Sequence, residues 1–168
     1  DYRHALTKVF ERCSMVAEQK LHDMGLELGP VGTPLANFIP AVRTGNLLFV
    51  AGHIAGKPDG SVLNPGKVGR DVTEEQAYES AKLAMLNCLA SIKQELGDLD
   101  RIKRIVKLLV MVNADPEFDR HFVVGNGASD LLVELYGDLG RHARSAVGMS
   151  SLPRKSCVEI EMIIEVEE

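Results

Sequence analysis

The sequence predicts an α+β domain: a mixed, mainly antiparallel sheet with helices packed on one face. Three observations carry this. Val158 to Val166 alternates apolar and mostly acidic residues with period two, as a half-buried strand does. Thr73-Glu74-Glu75-Gln76 is a capping box, and it opens a long apolar stripe at helical spacing. The elements run helix, two strands, helix, strand, helix, two strands.

In chain order, the first helix spans about Ala5 to Leu26, where Leu6, Val9, Phe10, Cys13, Val16 and Ala17 recur at three- and four-residue steps. Gly25 or Gly29 ends it, with Pro30 close behind. Residues 1–30 are therefore read as a helical extension and 31–168 as the main domain. Asn37 to Arg43 and Leu47 to Gly52 form a hairpin around Thr44-Gly45-Asn46. Lys57 to Gly69 is a loop rich in Gly and Pro, without the Gly-Lys-Ser/Thr of a phosphate loop. The Thr73 helix carries Ala77, Ala81, Ala84, Met85, Cys88 and Leu89 on one stripe and stops at Gly97.

Lys103 to Asn113 is a strand with Val106, Leu108, Val110 and Val112 on one face. Ile105, Lys107, Leu109 and Met111 make the other face largely apolar too, which points to subunit packing across it. This strand is a candidate to pair in parallel with an earlier one. A helix follows from near Gly127 to Tyr136, and the last strands are Arg144 to Ser151 and Cys157 to Glu167.

Composition narrows the function classes. A chain of 168 residues fits one domain, with 45% hydrophobic and 26% charged residues. A net charge of -5 argues against binding a nucleic-acid backbone, and the absence of Trp removes one stacking platform for bases. No apolar run reaches membrane-helix length. Cys13, Cys88 and Cys157 lack paired or zinc spacing and read as reduced thiols of a cytoplasmic protein. The chain does not begin with Met, so processing is expected and a mitochondrial location stays open.

No Gly-x-Ser-x-Gly elbow or His-metal spacing is present. His53 reads either as lining a cleft or as a satisfied histidine. Asn126 and Ser129 read either as helix caps or as ligand-binding residues. The strongest chemical candidate is His142-Ala143-Arg144-Ser145-Ala146-Val147-Gly148. Arg144 shares a strand face with Ala146 and Gly148, which leaves room for a planar anion. Glu159 and Glu161 share a face of the last strand and are expected nearby, as an Arg–Glu pair or as proton-handling acids. From the residues alone this is an anion-binding cleft without a reaction.

Gly140 to Gly148, Leu152-Pro153 and Val158-Glu159-Ile160-Glu161 resemble the signature of the RidA/YjgF family, also labelled endoribonuclease L-PSP-like. Phe38 to Gly52 is similar to its first hairpin, and Leu96 to Ile102 to its helix-to-strand turn. The wording of Gly127 to Leu131 and Arg141 to Ser145 looks like a divergent branch.

The resemblance implies a chorismate mutase-like fold and a homotrimer with ligand clefts between subunits. It implies hydrolysis of reactive 2-imino acids to 2-keto acids and ammonia, with no cofactor and no metal. Arg144 corresponds to the arginine that binds the substrate carboxylate, and Glu159 to the acid that positions water. Asn126 matches a cleft asparagine. Phe38 stands where deaminases often have Tyr, Ala146 where they often have Cys, and Ala51 where Ser is common. Phe38 and Ala146 therefore belong to the expected substrate site in altered form. The alternatives are a trimer that binds or senses small carboxylates, and an endoribonuclease or translation inhibitor.

Overall fold

The computed structural model describes residues 16–34 and 36–168. The first part of the expected N-terminal helix, from Ala5, lies outside the described residues. Within them, α1 is Val16–Asp23. It buries Ala17 and Leu21 against the domain. The Asp100 carboxylate accepts from the backbone N–H of Val16 and Ala17 at 2.6 and 2.9 Å, an acidic group where the helix dipole favours it.

The sheet contains β1 (Ala41–Thr44), β2 (Leu47–Ile54), β3 (Ile102–Asn113), β4 (Ala143–Met149) and β5 (Val158–Val166), in the order β1-β2-β5-β3-β4. Two longer helices, α2 (Glu74–Leu96) and α3 (His121–Tyr136), cover one face. The predicted hairpin is present, with Gly45 at φ 58° in its turn. The capping box of α2 is complete: Gln76 N–H donates to Thr73 Oγ1, and Gln76 Oε1 accepts from Thr73 N–H. Gly97 ends α2 in the left-handed region. In β5, Val158, Ile160, Met162, Ile164 and Val166 are buried under the helices, as their alternation requires.

Three expectations are corrected. The parallel pair is β3 with β4, the crossover running through α3, while β3 pairs with β5 antiparallel. The strand after α2 thus has β5 between it and the first hairpin. The faces of β3 also differ near its start. Register shifts between Ile102 and Arg104 and between Ile105 and Lys107 put two residues opposite one. Ile105 is fully buried and Val106 is turned outward; regular alternation resumes from Leu108.

Helix α3 begins at His121, well before Gly127. Gly125 and Gly127, inside the helix, are places of close approach. A Cβ on Gly127 would collide with the Tyr78 backbone carbonyl of α2. The helices cross there at a separation only glycine permits.

The other sheet face is left open by the described residues. Val42, Phe49, Val106 and Val147 are exposed on it, with Leu109, Met111 and Ile163 partly so. A cavity of about 500 Å³ on this face is lined by Ile39, Val42, Phe49, Lys107, Leu109 and Glu161. No helix among the described residues is long and apolar enough to cross a membrane.

Candidate functional site

Strand β4 is an edge strand, and its register decides where Arg144 points. Arg144, Ala146 and Gly148 align with Leu108, Val110 and Val112 of β3, all fully buried beneath the helices. The Arg144 side chain therefore takes the helix side of the sheet and lies against α3. There its Nη1 donates to Asn126 Oδ1 at 3.0 Å and to Ser129 Oγ at 2.9 Å. Its Nη2 donates to the Phe122 carbonyl at 3.0 Å. Gly125 makes room for this: a Cβ there would sit 3.0 Å from Nη1.

A guanidinium carries five N–H donors in a planar fork. Three are engaged among the described residues, which leaves Nε–H and one Nη2–H. Nε and Nη2 together form an edge that can grip a carboxylate through two parallel bonds. Burial pulls Arg144 below the usual arginine range, and Asp130 works against that.

Around Arg144 stand Asn126 and Ser129, which the sequence left open as caps or ligand-binding residues, and His142. Asn126 and Ser129 are not caps; both lie inside α3, three residues apart on the face toward Arg144. His142 Nε2 is 2.9 Å from Ser129 Oγ, and its Nδ1 is 2.6 Å from the Gly140 carbonyl. Burial first, and the Arg144 charge as well, lower the His142 pKa, while the Gly140 bond opposes this. The signals were present: i,i+3 on a helix, and i,i+2 to Arg144 on a strand.

The first turn of α3 also borders a second cavity, of about 310 Å³, lined by Asp115, Phe118, His121, Gly148 and Met149. His121 Nε2 occupies the place of a Gly148 side chain, 2.6 Å from where its Cβ would be.

Glu159 is elsewhere. It sits on β5 opposite Ile54 of β2, on the open face, half-buried. A register shift between Val50 and His53 shapes its surroundings. The bulge turns Gly52 outward beneath Glu159, whose Oε1 occupies the space a Gly52 Cβ would need. No hydrogen bond to the Glu159 carboxyl is made among the described residues. Its pKa is raised, mainly by burial and secondly by repulsion from Glu161.

The same bulge turns His53 inward. Its Nδ1 meets the Ala51 carbonyl at 2.6 Å and its Nε2 meets the buried Ser91 hydroxyl at 2.7 Å, so His53 is a satisfied interior histidine. Cys88 and Cys157 are both buried, and burial pushes both thiols up.

Within one protomer the expected site is divided. Arg144, Asn126 and Ala146 share the β4–α3 side. Glu159 is on the opposite face, and β3 separates its strand from β4, so the Arg144–Glu159 or Arg144–Glu161 pair is not made. Phe38 is exposed just ahead of β1, at the far edge of the sheet from β4. Among the described residues no group of three or more His, Cys, Asp or Glu side chains could hold a metal ion.

Residues 18–166 match a family model described as "YjgF/chorismate_mutase-like, putative endoribonuclease". The chain is 36% identical over 147 residues to Protein TCP17 of Trypanosoma cruzi, which covers 87% of this chain and 91% of that protein. A crystal structure of Atu1372 from Agrobacterium tumefaciens, of unknown function, is 42% identical, with a TM-score of 0.86 over 95% of this chain and 99% of that one. A "putative endoribonuclease" from Shewanella oneidensis is 34% identical with a TM-score of 0.86, covering 89% and 99% of the two chains. RidA from an Antarctic Psychrobacter shares the fold at 23% identity and a TM-score of 0.57, covering 83% and 94%.

Proposed function

The chain belongs to the YjgF/RidA family, and on that premise we propose that it is a cofactor-free hydrolytic deaminase of reactive 2-imino and enamine acids, yielding 2-keto acids and ammonia. The observation that carries this reading is the Arg144 guanidinium. It is anchored at three points and keeps an edge of two donors for a carboxylate. The family resemblance adds that the complete site forms between subunits of a homotrimer. Arg144, Asn126 and Ala146 then come from one copy and Glu159 from another. The division of these residues in the protomer and the exposed apolar sheet face both fit such an assembly.

In this mechanism the substrate carboxylate sits on the free edge of Arg144 and brings the imine carbon into register. Glu159 takes a proton from water as the oxygen bonds to that carbon, and the C=N electron pair moves to nitrogen. The product is a tetrahedral amino alcohol. Starting from the protonated imine, Glu159 returns the proton to nitrogen and then takes the hydroxyl proton as the C–N bond breaks, so that ammonia leaves, the C=O bond forms and Glu159 sheds the last proton to solvent. A carboxyl whose pKa is raised by burial is a stronger base than an ordinary carboxylate, which suits this exchange.

The test supplies 2-aminoacrylate or 2-iminobutanoate, generated in situ, and follows keto-acid release. Wild type accelerates release and Arg144→Ala does not; equal rates for the two overturn the reading. Light scattering gives the assembly, and a stable monomer removes the shared site. A second reading, a trimer that binds or senses 2-keto acids without catalysis, is favoured by Phe38 and Ala146, which lack the hydroxyl and thiol common in deaminases. It predicts keto-acid binding with no acceleration. Cleavage of RNA, suggested by the names of relatives, is opposed by the net charge of -5.

A further inference from the structure

Arg144, Ser129, His142 and Gly140 form a hydrogen-bonded chain whose direction is set by donor and acceptor chemistry. The Gly140 carbonyl only accepts, so His142 Nδ1 carries a proton toward it at 2.6 Å. In the neutral ring Nε2 is then the acceptor, and the Ser129 hydroxyl donates to it at 2.9 Å. With its proton committed, the Ser129 oxygen accepts from Arg144 Nη1 at 2.9 Å. The order is Arg144 to Ser129 to His142 to Gly140, each group in one role.

We propose that Ser129 and His142 are positioning residues for Arg144, and that they couple capture of an anion on its free edge to proton uptake by His142. This rests on the reading of Arg144 as the carboxylate clamp and adds a regulation to it.

Protonating His142 turns Nε2 from acceptor to donor. Ser129 Oγ then faces two donors, and two cations stand on either side of one hydroxyl. In this half-buried position a bare guanidinium therefore disfavours imidazolium. An anion on Arg144 offsets the guanidinium charge and lifts that restraint. Coupling is reciprocal, so the anion binds more tightly where His142 can take the proton.

The surrounding charges leave Arg144 as the neighbour that matters. From α3 come Ser129 and the Asp130 carboxylate, which acts on Arg144. Arg141, next in the chain, donates to Asp138 at 3.3 Å. Lys107 of β3 is on the opposite sheet face, donating to Ser145 at 2.8 Å. Affinity should thus fall as pH rises through the titration of His142 in the anion-bound protein.

Two measurements on the full chain test this. The first needs no ligand: NMR titration of the His142 ring in wild type and Arg144→Gln. Removing the cation is expected to raise the His142 midpoint by about half a pH unit or more. An unchanged midpoint overturns the coupling, whatever the substrate. The second is calorimetry with pyruvate between about pH 5.5 and about pH 8, the range of histidine titration.

Wild type should take up part of a proton on binding and weaken with rising pH. His142→Gln retains an acceptor for Ser129 and should bind with a flat profile. Ser129→Ala should weaken binding roughly tenfold, with Ser129→Thr restoring it, because one anchor of the guanidinium is lost. Unchanged affinity in Ser129→Ala, or the wild-type pH slope in His142→Gln, overturns the proposal. If Arg144→Ala binds pyruvate as wild type does, or wild type binds none, the carboxylate-clamp reading fails instead, and the ligand-free titration alone decides the coupling.

Discussion

Arg144 and Glu159 are the two ionisable groups on which the proposed chemistry depends, and the fold treats them in opposite ways. Arg144 is packed between an edge strand and a helix, with three acceptors fixing its plane. Glu159 lies on the open face over Gly52, with no hydrogen bond among the described residues and a raised pKa. The difference fits the two roles in the proposed chemistry. A binding group works best when its geometry is set before the ligand arrives. A proton carrier works best when neither protonation state is strongly held.

The largest effect expected is from removing the held group. Arg144→Ala should lower kcat/KM about a hundredfold or more, since losing a charge-assisted bidentate contact costs about 3 kcal/mol. Steady-state kinetics with in situ imine checks it, and a loss below fivefold would sink the role of clamp. Glu159→Gln should lower kcat by about a hundredfold with little change in KM, the pattern of a group used in the chemical step. The same variant should melt at a higher temperature than wild type at neutral pH. The folded-state pKa of Glu159 is raised, so ionisation is penalised as pH climbs from the ordinary carboxylate value through the folded one. At acid pH both forms are neutral, and the difference should close.

Gly125→Ala sharpens the contrast more finely. The added methyl would sit 3.0 Å from Arg144 Nη1 and should displace the guanidinium, raising KM about tenfold. Within a helix the substitution also favours folding by about 0.5–1 kcal/mol. Rising KM with rising thermal stability would mark Gly125 as kept for Arg144; a parallel fall in both would not.

The smallest effect concerns His53, a half-buried histidine with both ring nitrogens hydrogen-bonded. Its folded pKa is lowered, chiefly by burial. Stability should be full above about pH 6.5, the unfolded value, and decline as pH falls from there toward the folded value. His142, also lowered, contributes a slope of the same sign, so denaturant titrations should show a steeper slope in wild type than in His53→Gln.

Much of the fold was legible in the sequence. The α2 capping box, the Gly45 turn and the alternation in β5 are local patterns, and each appears where expected. The errors share one physical source, partners distant in the chain. The sequence places the start of α3 near Gly127, not at His121, because the reasons for Gly125 and Gly127 inside it, Arg144 and Tyr78, lie elsewhere in the chain. Val106 and Ile105 exchanged faces because β3 carries bulges against β5, and a bulge leaves no mark in composition. His53 could not be placed for the same reason, since the β2 bulge turns it toward Ser91.

By itself the sequence determined that Arg144, Ala146 and Gly148 share one face, and that Glu159 and Glu161 share another, because a strand alternates with period two wherever it lies. It could not determine that these faces look in opposite directions. That was decided by the strand order, which inserts β3 between β4 and β5, and by the register that turns Arg144 toward α3. Strand order arises from long-range pairing, and no local pattern encodes which strand becomes the neighbour. The division of these residues within one protomer belongs to the tertiary structure alone.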